Sequence, residues 1–276
     1  MSLQQPHPLT QKTLLTIAGS DSGSGAGIQA DLKTASAFGV YASTAITALT
    51  AQNTLGTHSI HLPPAQFVKA QIEAVLSDIG ADIIKLGMLG NGDIAKIVAD
   101  CIVSHNSLKQ VPLVIDPVLS GSDNTPLSDN SQTSVLLERL LPLATLITPN
   151  IPEAEALTNS CIQSISDMEK AAKSLQLIAG KNTSILITGG HLPNAEDTIT
   201  DVLWHNEQFY YFSISRQNTS ATHGTGCTLA TGISCGIALG KDLIDAIKTA
   251  QDYLQQAIQN APHIGSGAGP LNHIYR

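Results

Sequence analysis

The residues best suited to chemistry lie late in the chain, where His223-Gly224-Thr225-Gly226-Cys227-Thr228 precedes a small, apolar run over residues 229–239 that reads as a helix. Gly224 and Gly226, flanking Thr225, leave the amides at the entrance of that helix uncovered. Converging N–H groups and the positive end of the macrodipole make an anion site, and a phosphoryl group could dock there. Cys227 would lie in the first turn, where the same field favours thiolate, so it could take a proton from an attacking alcohol. A small buried cysteine is the ordinary alternative, and the one adopted for Cys101, Cys161 and Cys235. A second glycine loop spans residues 19–27, with glycines at 23, 25 and 27. It differs from G-x-G-x-x-G, and nothing in the chain matches G-x-x-x-x-G-K-[ST]. Its glycines permit a sharp strand-to-helix turn or a close approach of backbone to ligand. Two acids complete the set. Asp116 ends the buried run Val114-Ile115, and Glu153 opens a helix just after Leu146-Ile147-Thr148. Both could hold Mg²⁺, directly or through water, as phosphoryl transfer from a nucleotide requires, although Glu153 also suits an ordinary first-turn acid.

These groups need a scaffold, and the hydrophobic pattern supplies one. Residues 13–18 read as a buried strand, followed by the glycine loop and a helical pattern through Phe38. Strands are expected at 40–50, 82–89, 112–116, 145–148 and 184–188, with helices at 64–79, 93–104, 153–158 and 167–178 between them. Strands joined by crossover helices imply a three-layer α/β sandwich with a central, mostly parallel sheet and helices on both faces. Ligands gather beyond the carboxyl ends of such strands, so Asp116 and Glu153 could face the same crevice as the glycine loops. Residues 201–204 and 209–212 flank a short polar turn and read as a hairpin extending one sheet edge. Residues 121–126 form a polar loop followed by a helical run to Leu140, and the segment 121–130 is a candidate lid.

The 276 residues fit one domain, with residues 1–12 expected to be flexible. Hydrophobic residues make up 42% against 13% charged, which excludes disorder for the bulk of the chain. A net charge of −8 disfavours nucleic acid and anionic lipid as partners. No apolar stretch reaches the roughly 20 residues of a membrane span, the start does not resemble a signal peptide, and the four scattered cysteines suit a reducing compartment, so a cytoplasmic protein is expected.

Eight blocks, in order, resemble the hydroxymethylpyrimidine/phosphomethylpyrimidine kinases of thiamine biosynthesis. They are Leu15-Thr16-Ile17-Ala18-Gly19-Ser20-Asp21, residues 25–33, residues 48–54, Lys85-Leu86-Gly87-Met88-Leu89, Asp116-Pro117-Val118, Ile147-Thr148-Pro149-Asn150, Gly189-Gly190-His191-Leu192 and residues 223–228. The resemblance implies a ribokinase-like fold, usually homodimeric, that phosphorylates 4-amino-5-hydroxymethyl-2-methylpyrimidine and then its monophosphate with ATP and Mg²⁺. It implies that Gln52 hydrogen-bonds the aminopyrimidine, that Asp31 and the backbone near Gly19 orient it, and that Met88 packs on the ring. It assigns residues 224–227 to the anion hole, Cys227 to the place where ribokinase relatives keep an aspartate base, and Asn150, Asp116 and Glu153 to magnesium and phosphates. A primary amide suits the first of these roles, because the donor beside an acceptor on the ring edge can be matched by Gln52 with two bonds at once.

Many members carry Lys-Gly-Gly-His where this chain has Thr188-Gly189-Gly190-His191, so a cation that could neutralise nucleotide phosphates is missing. Thr188 can still donate a hydrogen bond, which implies an intact reaction with a different phosphate clamp. Three rival readings stand beside this one. They are a pyridoxine/pyridoxal kinase of similar architecture, a thiol hydrolase with Cys227 as nucleophile and His223 or His191 as base, and a non-catalytic pyrimidine-binding protein.

Overall fold

The computed structural model describes residues 11–105, 110–121, 130–193 and 197–275. The expected lead segment therefore lies outside the described residues except for positions 11 and 12, as does nearly all of the lid candidate.

Among the described residues nine strands form one sheet in the order β3-β2-β1-β4-β5-β6-β7-β8-β9. The strands are β1 (Thr13–Asp21), β2 (Tyr41–Asn53), β3 (Gly56–His61), β4 (Ile83–Leu86), β5 (Leu113–Ile115), β6 (Leu146–Ile147), β7 (Ser184–Ile187), β8 (Thr198–His205) and β9 (Gln208–Ser215). From β2 to β7 every pairing is parallel, while β3 at one edge and the β8–β9 hairpin at the other run antiparallel. The hairpin and the expected parallel strands are where the sequence placed them, whereas β3 is an addition. Strands β4 to β7 are two to four residues long and wholly buried, as strands covered on both faces must be.

Among the described residues eight helices complete the layers: α1 (Gly27–Ala37), α2 (Ala65–Leu76), α3 (Gly92–Ser104), α4 (Asn130–Val135), α5 (Ile151–Thr158), α6 (Ile165–Ala179), α7 (Thr225–Ala238) and α8 (Leu243–Gln259). The run to Leu140 is α4 followed by a wider π-type turn over Leu136–Leu140. Alternate strand residues serve opposite faces. Leu15, Ile17, Ile84 and Ile115 join α2, α3, α5 and α6 in one core, and Leu14, Ile83, Val114 and Leu146 join α1, α7 and α8 in the other. Among the described residues no helix is long and apolar enough to cross a membrane.

Strand order reverses at β1, since the chain goes first to β2 on one side and then to β4 on the other. Such a switch point opens a crevice beyond the strand ends. Here it lies past Gly19 on β1 and beside Met88 after β4.

Candidate active site

Both glycine loops reach this crevice and interlock there. The helix that carries Cys227 begins at Thr225, four residues before the expected start, with Gly224 as its N-cap at φ 84°. That left-handed backbone favours glycine, and a Cβ at Gly224 would also run into the Gly25 carbonyl oxygen. Gly27, the first residue of α1, donates its N–H to Cys227 Sγ. The amino end of α1 therefore addresses the sulfur carried in the first turn of α7.

The direction of the Cys227 shift corrects the sequence reading. Burial pushes the thiol up to about 12, Lys85 draws it down, and Asp116 and Asp31 push it further up. Removal of the sulfur from water and the two acids outweigh the helix ends, so the group is a thiol at neutral pH. The acids stand where they were expected. A Cβ on Gly226 would lie 3.9 Å from each Asp116 carboxyl oxygen, so that carboxyl faces the first turn of α7. Burial and Asp31 raise Asp116 to about 6 against the pull of Lys85 and a hydrogen bond with Cys227. Glu153 is raised to about 8 by burial and by Asp116, despite amide bonds from Asn150 and Leu119. It is also the first-turn acid of α5: Asn150 Oδ1 accepts the Glu153 N–H at 2.9 Å, and Glu153 Oε2 accepts the Asn150 N–H at 2.9 Å.

Two buried carboxyls, Glu153 raised in part by Asp116 and Asp116 Oδ2 lacking any hydrogen-bond partner, suit a shared divalent cation. Among the described residues no group of three or more His, Cys, Asp or Glu could enclose one. Mg²⁺ keeps waters and takes one or two carboxylates plus substrate phosphates, and Asp116 and Glu153 are two such carboxylates.

Asp31 is not where the resemblance put it. Its carboxylate is fully buried beneath the site, with Lys85 Nζ at 3.1 Å and the Thr16 and Thr231 hydroxyls donating at 2.5 and 2.7 Å. Those partners occupy both carboxylate oxygens. Lys85 was overlooked: it is fully buried on β4 and lies 3.9 Å from Asp116 Oδ2. Burial would lower its pKa, but Asp31, Cys227 and Asp116 raise it, so it is a permanent cation under the site. One lysine in an otherwise apolar four-residue strand was the available signal.

On the β2 side, Ser22 Oγ accepts the Gln52 N–H at 2.8 Å and donates to the Gln52 carbonyl at 2.7 Å, fixing Gln52 against the first loop. Gln52 Nε2 stands 3.4 Å from His223 Nε2. Met88 is buried, and a Cβ on Gly19 would lie 3.0 Å from its sulfur, so the two share one wall. On the opposite side, Asn150 and Thr188 form a parallel bridge beyond β6 and β7. The following turn is pinned by Asp201, another residue the sequence did not single out, whose Oδ1 accepts the Gly189 N–H at 2.8 Å.

This arrangement has relatives. The phosphomethylpyrimidine kinase family model matches residues 21–272. A hydroxymethylpyrimidine/phosphomethylpyrimidine kinase from Haemophilus influenzae is 46% identical over 264 residues, covering 95% of this chain and 96% of the relative. Among solved structures, a phosphomethylpyrimidine kinase from Clostridium difficile is similar with a TM-score of 0.78 at 37% identity, over 90% of this chain and 100% of that one. The pyridoxal kinase from Staphylococcus aureus in complex with AMP-PCP and pyridoxal is similar with a TM-score of 0.85 at 33% identity, over 96% and 94%. With its ordered motifs gathered at one switch point and nearly its whole length matched, the chain belongs to the phosphomethylpyrimidine kinase family.

Proposed function

We propose that this chain transfers the γ-phosphoryl group of ATP to the hydroxymethyl oxygen of 4-amino-5-hydroxymethyl-2-methylpyrimidine, and then adds a second phosphoryl group to the monophosphate. The product is the pyrophosphate used in thiamine biosynthesis. One observation carries the reading: the glycine-flanked entrance of α7 lies beside Asp116, with Gln52, Gly19 and Met88 on one side and Asn150 and Thr188 on the other.

Phosphoryl transfer asks the protein chiefly for placement and electrostatic support. The amides of Gly224, Thr225, Gly226 and Cys227 receive the charge on the transferring oxygens. Gln52 selects the aminopyrimidine edge, the backbone at Gly19 lets the ring approach, and Met88 packs on its face. Asn150 uses its carbonyl in the α5 cap, which leaves its amide N–H groups for the nucleotide phosphates, and Thr188 offers a hydroxyl. Asp116 and Glu153 are the residues that would hold Mg²⁺, whose contribution is to neutralise phosphate charge. Cys227 orients the substrate hydroxyl, and Asp116, ionised above about pH 6, is the adjoining group able to take its proton.

The thiol hydrolase reading loses ground, because the thiol is pushed up to about 12. The pyridoxal kinase reading keeps specific support in the similarity to the staphylococcal enzyme. Parallel ATP-dependent assays on the pyrimidine alcohol and on pyridoxine test the choice. Turnover of the pyrimidine to two successive products is expected, and its absence with either alcohol overturns the kinase reading. The same reading makes the enzyme a cytoplasmic homodimer, to be checked by light scattering and fractionation.

A further inference from the structure

Asp21 and His223 lie 202 positions apart in the chain and meet where the two glycine loops interlock. Asp21 Oδ1 accepts the Gly23 N–H at 2.7 Å, and Oδ2 accepts the N–H groups of Gly25 and Ala26 at 2.9 Å each, with His223 Nε2 at 2.8 Å. Burial would raise the Asp21 pKa, but the His223 bond and the Ala26 and Gly23 amides outweigh it and hold the group below the usual carboxylate range. The carboxylate carries no proton at neutral pH, so Nε2–H is the donor. The ring lies against Gly25, where a Cβ would collide with His223 Cδ2. From the other direction, the His223 N–H reaches the Gly269 carbonyl at 3.3 Å.

We propose that His223 is a positioning residue for phosphoryl transfer: anchored on Asp21, it fixes the left-handed N-cap at Gly224 and so the aim of the amides of residues 224–227. Through the same contact the anion site is tied to the loop that holds Gln52 and faces the alcohol. The inference rests on the kinase reading and adds a residue to it. Gln52 Nε2 stands 3.4 Å from the same ring nitrogen, but Gln52 is anchored through its own backbone on Ser22, so losing the Asp21 bond misdirects the amides while leaving alcohol affinity nearly intact. A displacement of about 1 Å in such a site costs on the order of 10²-fold in rate.

The test compares His223→Gln, whose amide can reach Asp21, with His223→Asn, whose amide is too short, and with Gly25→Ala, whose new methyl group displaces the ring. Steady-state kinetics with ATP and the pyrimidine alcohol are run well below each variant's melting temperature. His223→Asn and Gly25→Ala are expected to lower kcat on the order of 10²-fold, with KM for the alcohol within about threefold, and His223→Gln to recover to within about tenfold of the parent. The double variant Asp21→Asn/His223→Asn should be no slower than the worse single one. Retained kcat in both disruptive variants, a loss confined to KM, a His223→Gln no better than His223→Asn, or additive losses each overturn the proposal. If one disruptive variant fails to fold, the other decides against His223→Gln. Failure of both to fold makes the contact structural only and also overturns it. An inactive parent enzyme refutes the kinase reading itself.

Discussion

Replacing Lys85 with methionine gives the sharpest test of how the floor of the site is held. The ammonium lies 3.1 Å from Asp31 with both side chains fully buried, and at an effective dielectric of about 20 that attraction is about 5 kcal/mol. Desolvation offsets much of it in the intact pair, but removing one partner leaves a buried charge uncompensated, which costs about 3–5 kcal/mol. Set against a typical stability of about 5–15 kcal/mol, Lys85→Met should remove about a fifth or more. At about 2–4 °C per kcal/mol, the melting temperature drops by about 6–20 °C. Adding Asp31→Asn removes the orphaned charge while the Thr16 and Thr231 hydroxyls can rotate to pair with the amide, so stability should recover by at least about 2 kcal/mol. Activity should not recover with it, because Asp116, 3.9 Å from the lost ammonium, still lacks its cation. Urea denaturation and steady-state kinetics on the single and double variants read both quantities. A single variant costing less than about 1 kcal/mol, or a double variant no more stable than the single, would refute the account of a compensated buried pair.

Other outcomes follow from the same geometry. Cys227→Ala should lower kcat by about 10²-fold while calorimetric binding of the alcohol stays within a few-fold; unchanged kcat would remove the sulfur from the mechanism. With the thiol pushed up to about 12, iodoacetamide at pH 8 should label exposed Cys161 well before Cys227. Glu153 is raised in the fold from 4.5 to about 8, so between those values the native state holds a proton that the unfolded chain has released. Its contribution to stability is full below about pH 4.5 and is lost as pH rises through 8; melting curves without ligand should show that decline, and Glu153→Gln should flatten it. Thr188→Lys should restore a cation beside Asn150 and raise kcat/KM for ATP by about tenfold, whereas no change would mean that the phosphate clamp is already complete.

The extent to which the site was legible differs from residue to residue. The sequence by itself determined the layered α/β scaffold, because runs such as Leu113-Val114-Ile115 and Ile185-Leu186-Ile187 can only be strands covered on both faces. It also pointed to the glycine-flanked helix entrance at residues 224–227, since glycines before a small-residue helix leave amides uncovered whatever surrounds them. It put Asp116 just past a strand and Glu153 in the first turn of a helix, where the structure has them, because strand ends and helix starts are local features. What surrounds a group is a different matter. Whether Asp31 would meet a ligand or a lysine depended on β4 lying beside β1 with α1 and α7 over that face, and whether Cys227 would be a thiolate or a thiol depended on how much water the fold removes around it. Only the tertiary structure decided those points, and likewise the meeting of Asp21 with His223. Desolvation and Coulomb forces act between neighbours in space, and a linear pattern records spacing along the chain alone.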